Sequence, residues 1–263
     1  MSMKKIVLAL AALGALTTAA AAADLGAKPY APPPAPPPYS WTGFYIFGGG
    51  GGGLWAADQN VVDTATGLPL TLDQRHGGSG WFGTVGAGYD WQFNTKWVFG
   101  IFGDGQFGSI RGTIVDPLSP PIQGTLKLQD SWAVGVRLGW LVAPNVLSYV
   151  NGGYSGAHFS GTTLVDSFAG VPFGLHTDSF NRNGWFVGGG YESNLDIFGI
   201  NYPGLFWKTE YRSAFYGRKT VDELIDGTNL PVGTSIRMNN WNQTISTSLV
   251  YRFNWTGSQV PRY

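Results

Sequence analysis

The 263-residue chain contains no cysteine, so no disulfide can hold its fold. Charged residues are scarce, 12% against the roughly one quarter usual in globular domains. That scarcity, with 15% aromatic residues, excludes a disordered chain, which needs few aromatics and much charge. Basic residues show no surplus, which removes nucleic acid from the expected partners. Past the N-terminus there is no apolar run of about 18 residues, the minimum for a helix crossing a bilayer. A chain that meets lipid without such helices has one other solution. It is a closed barrel, in which every backbone polar group finds an internal partner.

What is abundant fits that solution. The chain carries 40 glycines and 11 tryptophans. Residues 1–23 combine a basic start (Lys4, Lys5), an apolar stretch from Ile6 to Leu16 and a run of small residues, the pattern of a secretory signal peptide cleaved near Ala23. Without Lys4 and Lys5, 14 basic residues face 16 acidic ones, a net charge of −2. Residues 24–40 are proline-rich and read as an extended periplasmic spacer. Residues 41–254 then alternate. Trp132, Val134, Val136, Leu138 and Trp140 share one face, with Ala133, Gly135, Arg137 and Gly139 on the other. The same period-2 reading predicts eight strands near 43–55, 79–92, 97–110, 127–140, 146–158, 183–195, 204–216 and 240–254. The run Gly48–Gly53 falls inside the first. GxGxxG can be drawn through it, but no helix follows, so it is no nucleotide loop.

Short connections (94–95, 143–145, 198–203) alternate with long polar segments (56–78, 111–126, 159–182, 217–239). This predicts an all-β, eight-stranded antiparallel transmembrane up-and-down barrel with short periplasmic turns and long outer loops. Outward aromatics fall at two levels, as girdles at two membrane interfaces should. One level holds Trp91, Trp97, Trp140, Tyr191, Trp207 and Phe253. The other holds Trp81, Phe107, Trp132, Trp185, Phe215 and Trp241.

The inward face carries four acids, Asp90, Asp104, Glu192 and Glu210, and four bases, Arg137, Lys208, Arg212 and Arg252. An eight-stranded barrel has an interior only wide enough for side chains. A balanced set there predicts a salt-bridged lumen, whereas an ion-selective pore favours a ring of one sign.

The sequence Trp41-Thr42-Gly43-Phe44-Tyr45 after a proline-rich leader, with Leu249-Val250-Tyr251-Arg252-Phe253 near the end, resembles the small OmpA-like, porin-family outer-membrane barrels of α-proteobacteria. The resemblance implies an abundant envelope protein in a Gram-negative outer membrane, in contact with outer-membrane lipids and lipopolysaccharide and without a catalytic site. Some members are linked to hemin. It also implies an aromatic signal for the barrel-assembly machinery. Phe253 fills that role, or Tyr263 does, since residues 255–263 form an extension beyond the barrel.

The leading function expected is therefore a structural surface barrel, not an enzyme, with no cofactor and no metal. Three alternatives stand beside it. One is a small porin. A second is binding of hemin or of a host or phage surface ligand, through outer loops that hold His76, His158 and His176. The most remote is a lipid A deacylase using His158 and Ser160 with Asp166 as orienting acid, although Gly161 stands where that family usually has Asn.

Overall fold

A computed structural model describes residues 40–253 except 119, 120 and 201. The signal peptide, nearly all of the proline-rich segment and the C-terminal extension lie outside the described residues. Ten strands follow in order: β1 Gly43–Asp63, β2 Gln74–Gln92, β3 Trp97–Asp116, β4 Ile122–Ala143, β5 Val146–Ser160, β6 Thr162–Asp166, β7 Pro172–Thr177, β8 Phe180–Asn194, β9 Leu205–Ile225 and β10 Pro231–Arg252. Antiparallel pairing runs β1-β2-β3-β4-β5-β8-β9-β10, and β10 pairs back onto β1. Eight strands thus close a ring and leave no edge to meet lipid.

β6 and β7 form a hairpin inside the connection between β5 and β8. It pairs with β4 at Ile122↔Asp166 and with β9 at Leu175↔Ile225, so it carries the wall upward beyond the ring.

The outer segments differ from the long polar loops expected. β1 continues to Asp63, β3 to Asp116 and β9 to Ile225, leaving connections of 64–73, 117–121 and 226–230. The alternation persists through these extensions but changes sense. In the middle of the wall, Ile101, Val134, Val136, Val187 and Ile245 point outward and are exposed. Higher up, Val61, Ile114, Leu126, Val221 and Ile236 point inward and are buried, while Thr125, Lys127 and Arg237 take the outer face. Strand reading keyed to an apolar outer face stops where lipid gives way to water. The strands do not.

The glycine run lies in β1, with Gly49, Gly51 and Gly53 on the inward parity of Tyr45 and Phe47. There the wall curls so tightly that a methyl group on Gly49 would sit 2.0 Å from the carbonyl oxygen of Thr247 on β10. Outward-facing Gly48 has nothing nearer than 3.9 Å. Gly49→Val should therefore lower barrel stability by about 1–3 kcal/mol, the usual cost of overpacking, or block folding outright. Gly48→Ala should be silent. Heat-modifiable gel mobility of the two variants checks the contrast.

Candidate functional site

The lumen is built in tiers. In the lowest, Asp90, Arg137, Glu192 and Arg252 stand on β2, β4, β8 and β10, which are every second strand of the ring. Acid and base alternate around this square. Arg137 donates from Nε to Asp90 Oδ1 at 2.9 Å, from Nη2 to Asp90 Oδ2, and from Nη1 to Glu192 Oε2 at 3.2 Å. Arg252 closes the circuit from the other side, donating from Nε to Glu192 Oε1 at 2.7 Å and from Nη2 to Asp90 Oδ2 at 2.8 Å. Aromatic faces cover the cations. The Arg137 guanidinium lies 4.3 Å from the Tyr45 ring centre, and that of Arg252 lies 4.4 Å from Trp41. Such contacts strengthen when desolvated.

The next tier crosses the lumen. Arg212 on β9 makes a two-pronged bond to Asp104 on β3, at 2.9 and 2.7 Å, and β3 and β9 are opposite strands of the ring. The same guanidinium reaches Glu210 Oε1 at 2.7 Å. Tyr149 Oη donates to Glu210 Oε2 at 2.8 Å, and Lys208 Nζ lies 3.8 Å from that oxygen, over the Phe47 ring. All eight charged side chains that the sequence places inside lie in these two tiers, and each has an opposite charge within ion-pair distance. Above them, Phe82, Phe186, Ile110, Leu128 and Phe159 fill the bore, followed by Ile114, Leu126 and Ile236.

Sequence reading did not assign Trp41, Tyr45 and Tyr149 to the charge network. The parity of Tyr45 within β1 was the available signal, because it shares the inward side with Phe47 and Gly49. The apolar upper filling was hidden behind the inversion described above.

All twelve expected girdle aromatics have exposed or half-buried side chains on the outer wall. At the outer level Trp185 stacks on Phe215 with ring centres 4.5 Å apart, and Phe215 pairs directly with Trp241. At the inner level Trp97 meets Trp140 edge to face at 4.7 Å, with Lys96 over the Trp140 ring.

The residues of the remote hydrolase reading are engaged separately. His158 Nδ1 lies 2.7 Å from Asn181 Oδ1, Ser160 Oγ donates to the carbonyl of Lys127, and Asp166 caps its own turn at Phe168 and Ala169. The other histidines are also apart. His76 contacts Gln74, and His176 contacts Asp226 at 2.7 Å. Among the described residues, no group of three or more His, Asp or Glu side chains is placed to hold a metal ion.

Beyond the outer aromatic level a second acidic feature appears. Asp116 on β3 and Glu223 on β9 are both buried, and the charge of one bears on the other. Glu223 Oε2 also accepts from Thr234 Oγ1. Burial, with the charge of Asp116 adding to it, pushes Glu223 up to about 7, and burial also raises Asp116.

The family described as outer membrane protein beta-barrel domain matches residues 8–253. The 31 kDa outer-membrane immunogenic proteins of Brucella melitensis and Brucella suis are each 29% identical over 258 residues, covering 95% of this chain and 100% of theirs. Among solved structures, the outer membrane protein OprG of Pseudomonas aeruginosa superposes with a TM-score of 0.52 at 12% identity, covering 80% of this chain and 97% of its own. At that identity it supports the fold alone.

Two outcomes follow from the geometry. Glu192→Gln breaks two arginine contacts at once and should destabilise the barrel by about 3–5 kcal/mol, the usual cost of leaving a buried partner uncompensated. Thermal unfolding in detergent measures it, and an unchanged midpoint would strip the square of any stabilising role. For Glu223, the folded state keeps a proton that an unfolded glutamate releases near pH 4.5. Stability of the outer end should therefore fall as pH rises from about 4.5 to about 7 and level off above that. Glu223→Gln should remove this slope and raise the melting temperature at pH 8 while leaving it little changed at pH 4.

Proposed function

The chain belongs to the outer membrane protein beta-barrel domain family, a barrel of the Gram-negative cell outer membrane, and from that premise we propose that it is a non-enzymatic structural surface barrel with a closed lumen. The observation that carries the reading is the filling of the bore. A narrow barrel that conducts needs a continuous polar path lined by groups free to exchange an ion's hydration shell. Here the charges are spent on one another, in a square and across a full diameter, and apolar side chains take the space above them.

The outer wall supplies the contacts. Its apolar band between the two aromatic levels suits outer-membrane lipid, and the water-facing extensions above suit the polar zone of lipopolysaccharide. β-hairpins standing clear of the membrane also fit the naming of the Brucella relatives as immunogenic proteins, since such surfaces are open to antibody. For assembly, Phe253 presents an exposed ring where the last strand meets the first, its N–H donating to the carbonyl of Phe44 at 3.1 Å.

Single-channel recording in planar bilayers tests the proposal, with heat-modifiable mobility reporting that the barrel is folded. A folded, electrically silent protein is the expected result. Steady, reproducible conductance steps would replace this reading with passive diffusion of ions or small solutes.

A further inference from the structure

Four outward side chains stand in one row across neighbouring strands, just above the outer aromatic level. Ser79 on β2 lies directly opposite Arg111 on β3, Arg111 opposite Lys127 on β4, and Lys127 opposite Ser160 on β5. One outward step lower, Ser109 is opposite Trp81, which is 80% exposed. Two residues of strand span about 7 Å, so the row stands roughly that far along the wall above the Trp81 position. Arg111 is exposed and Lys127 half-buried. Arg111 Nε donates to Ser109 Oγ at 2.9 Å, which draws the guanidinium down towards the membrane. Its two terminal nitrogens have no partner among the described residues.

Like charges directly opposite each other on one face of a sheet repel. No acid relieves this pair. Beyond the outer aromatics, the ion pairs among the described residues are those of Arg75 with Asp58 and of His176 with Asp178 and Asp226. On β4 itself, Asp130 lies three residues below Lys127, opposite Phe107, and bridges to neither base. The lumen, where all eight charges are paired, shows the contrast. The surroundings of the row are those of a bilayer edge, with Trp81, Phe107 and Trp132 below and the hydroxyls of Ser79, Ser109 and Ser160 alongside. Ser79 also lines a recess of about 500 Å³ on the lipid side, with Gly52, Leu54, Trp81, Tyr211 and Ile245.

We infer that the Arg111–Lys127 row is a headgroup site that takes the phosphate of an outer-leaflet glycolipid, one of whose acyl chains lies in the recess that Ser79 lines. The guanidinium fork matches a phosphate in geometry as well as charge, and the lysine adds a second point charge from the neighbouring strand. The phosphate in turn supplies the counter-charge that the two bases lack. Two bases open to water would hold a free phosphate ion weakly. A glycolipid is already confined to the membrane plane by its chains, so the row meets it at a high effective concentration. The inference rests on the reading of the outer wall as facing lipopolysaccharide, and does not depend on whether the lumen conducts.

The experiment uses the folded protein in detergent, confirmed by heat-modifiable mobility, with thermal unfolding followed at constant ionic strength. Micelles are doped with increasing lipid A carrying its phosphates, or with the same lipid dephosphorylated. The expected result is a saturable rise in melting temperature of roughly 3 °C or more with the phosphorylated form, and a clearly smaller one with the other. Arg111→Gln and Lys127→Gln should each raise the lipid fraction at half-saturation by roughly five-fold, and the double substitution by roughly twenty-fold. Without lipid A the double variant should unfold no earlier than the unmodified chain, because it removes a repulsion. Arg218→Gln takes an exposed base from β9, on the opposite wall from β3, and should leave half-saturation unchanged. Equal rises with the two lipid forms would overturn the phosphate site and leave the lipid-facing wall standing. No rise with either would overturn both. A phosphate-dependent rise undiminished in the double variant, or weakened as much by Arg218→Gln, would overturn the site alone.

Discussion

The circuit Asp90–Arg137–Glu192–Arg252 ties together four strands that are not neighbours. Each ladder hydrogen bond joins only adjacent strands, and a register slip in one ladder can be absorbed by the next. A square of ion pairs across every second strand allows no such slippage. Each guanidinium must reach two carboxylates at once, so the heights of β2, β4, β8 and β10 are fixed relative to one another. Arg212 adds a diameter from β9 to β3. The closed ring is therefore braced from within as well as bonded along its wall.

That bracing depends on space cleared around it. A methyl group on Gly100 would lie 2.0 Å from Asp90 Oδ1, and one on Gly88 would lie 2.4 Å from Tyr45 Oη. The inward glycines let large charged and aromatic side chains lie flat across neighbouring strands in a bore too narrow to hold them upright. High glycine content and high aromatic content are thus two sides of one packing solution. Desolvating this many charges has a large cost, and the aromatic faces over Arg137, Arg252, Lys208 and Arg212 recover part of it.

Where lipid lies outside, the sequence was easily read. Period-2 alternation with an apolar outer face marked the ring strands, least cleanly at 146–158, and parity assigned Asp90, Asp104, Arg137, Glu192, Lys208, Glu210, Arg212 and Arg252 to the interior. The structure brings these eight side chains together. What parity could not supply was the partner of each, because that depends on the stagger between strands and on which strands face each other across the ring. The outer third was misread for a definite reason. At Val61, Ile114, Leu126 and Ile236 the apolar side turns inward, and a stretch such as Thr125-Leu126-Lys127-Leu128 then resembles an ordinary soluble strand or a mixed loop. The β6–β7 hairpin was lost in the same way.

The inversion also explains why the upper barrel can tolerate features that the lower barrel cannot. In the lipid zone an unpaired backbone group is prohibitive, and there β8 and β9 stay in continuous register from Asn194↔Phe206 to Gly184↔Tyr216. Once Trp185 and Phe215 are passed, water can satisfy free N–H and C=O groups, so the two strands part without that cost. Irregular features lie on this side of the girdle: the register shift between Met238 and Asn240, the buried carboxyls of Asp116 and Glu223, and the buried charge of Arg182. The membrane dictates a regular wall only as far as it extends, and above it the same strands are free to acquire a chemistry of their own.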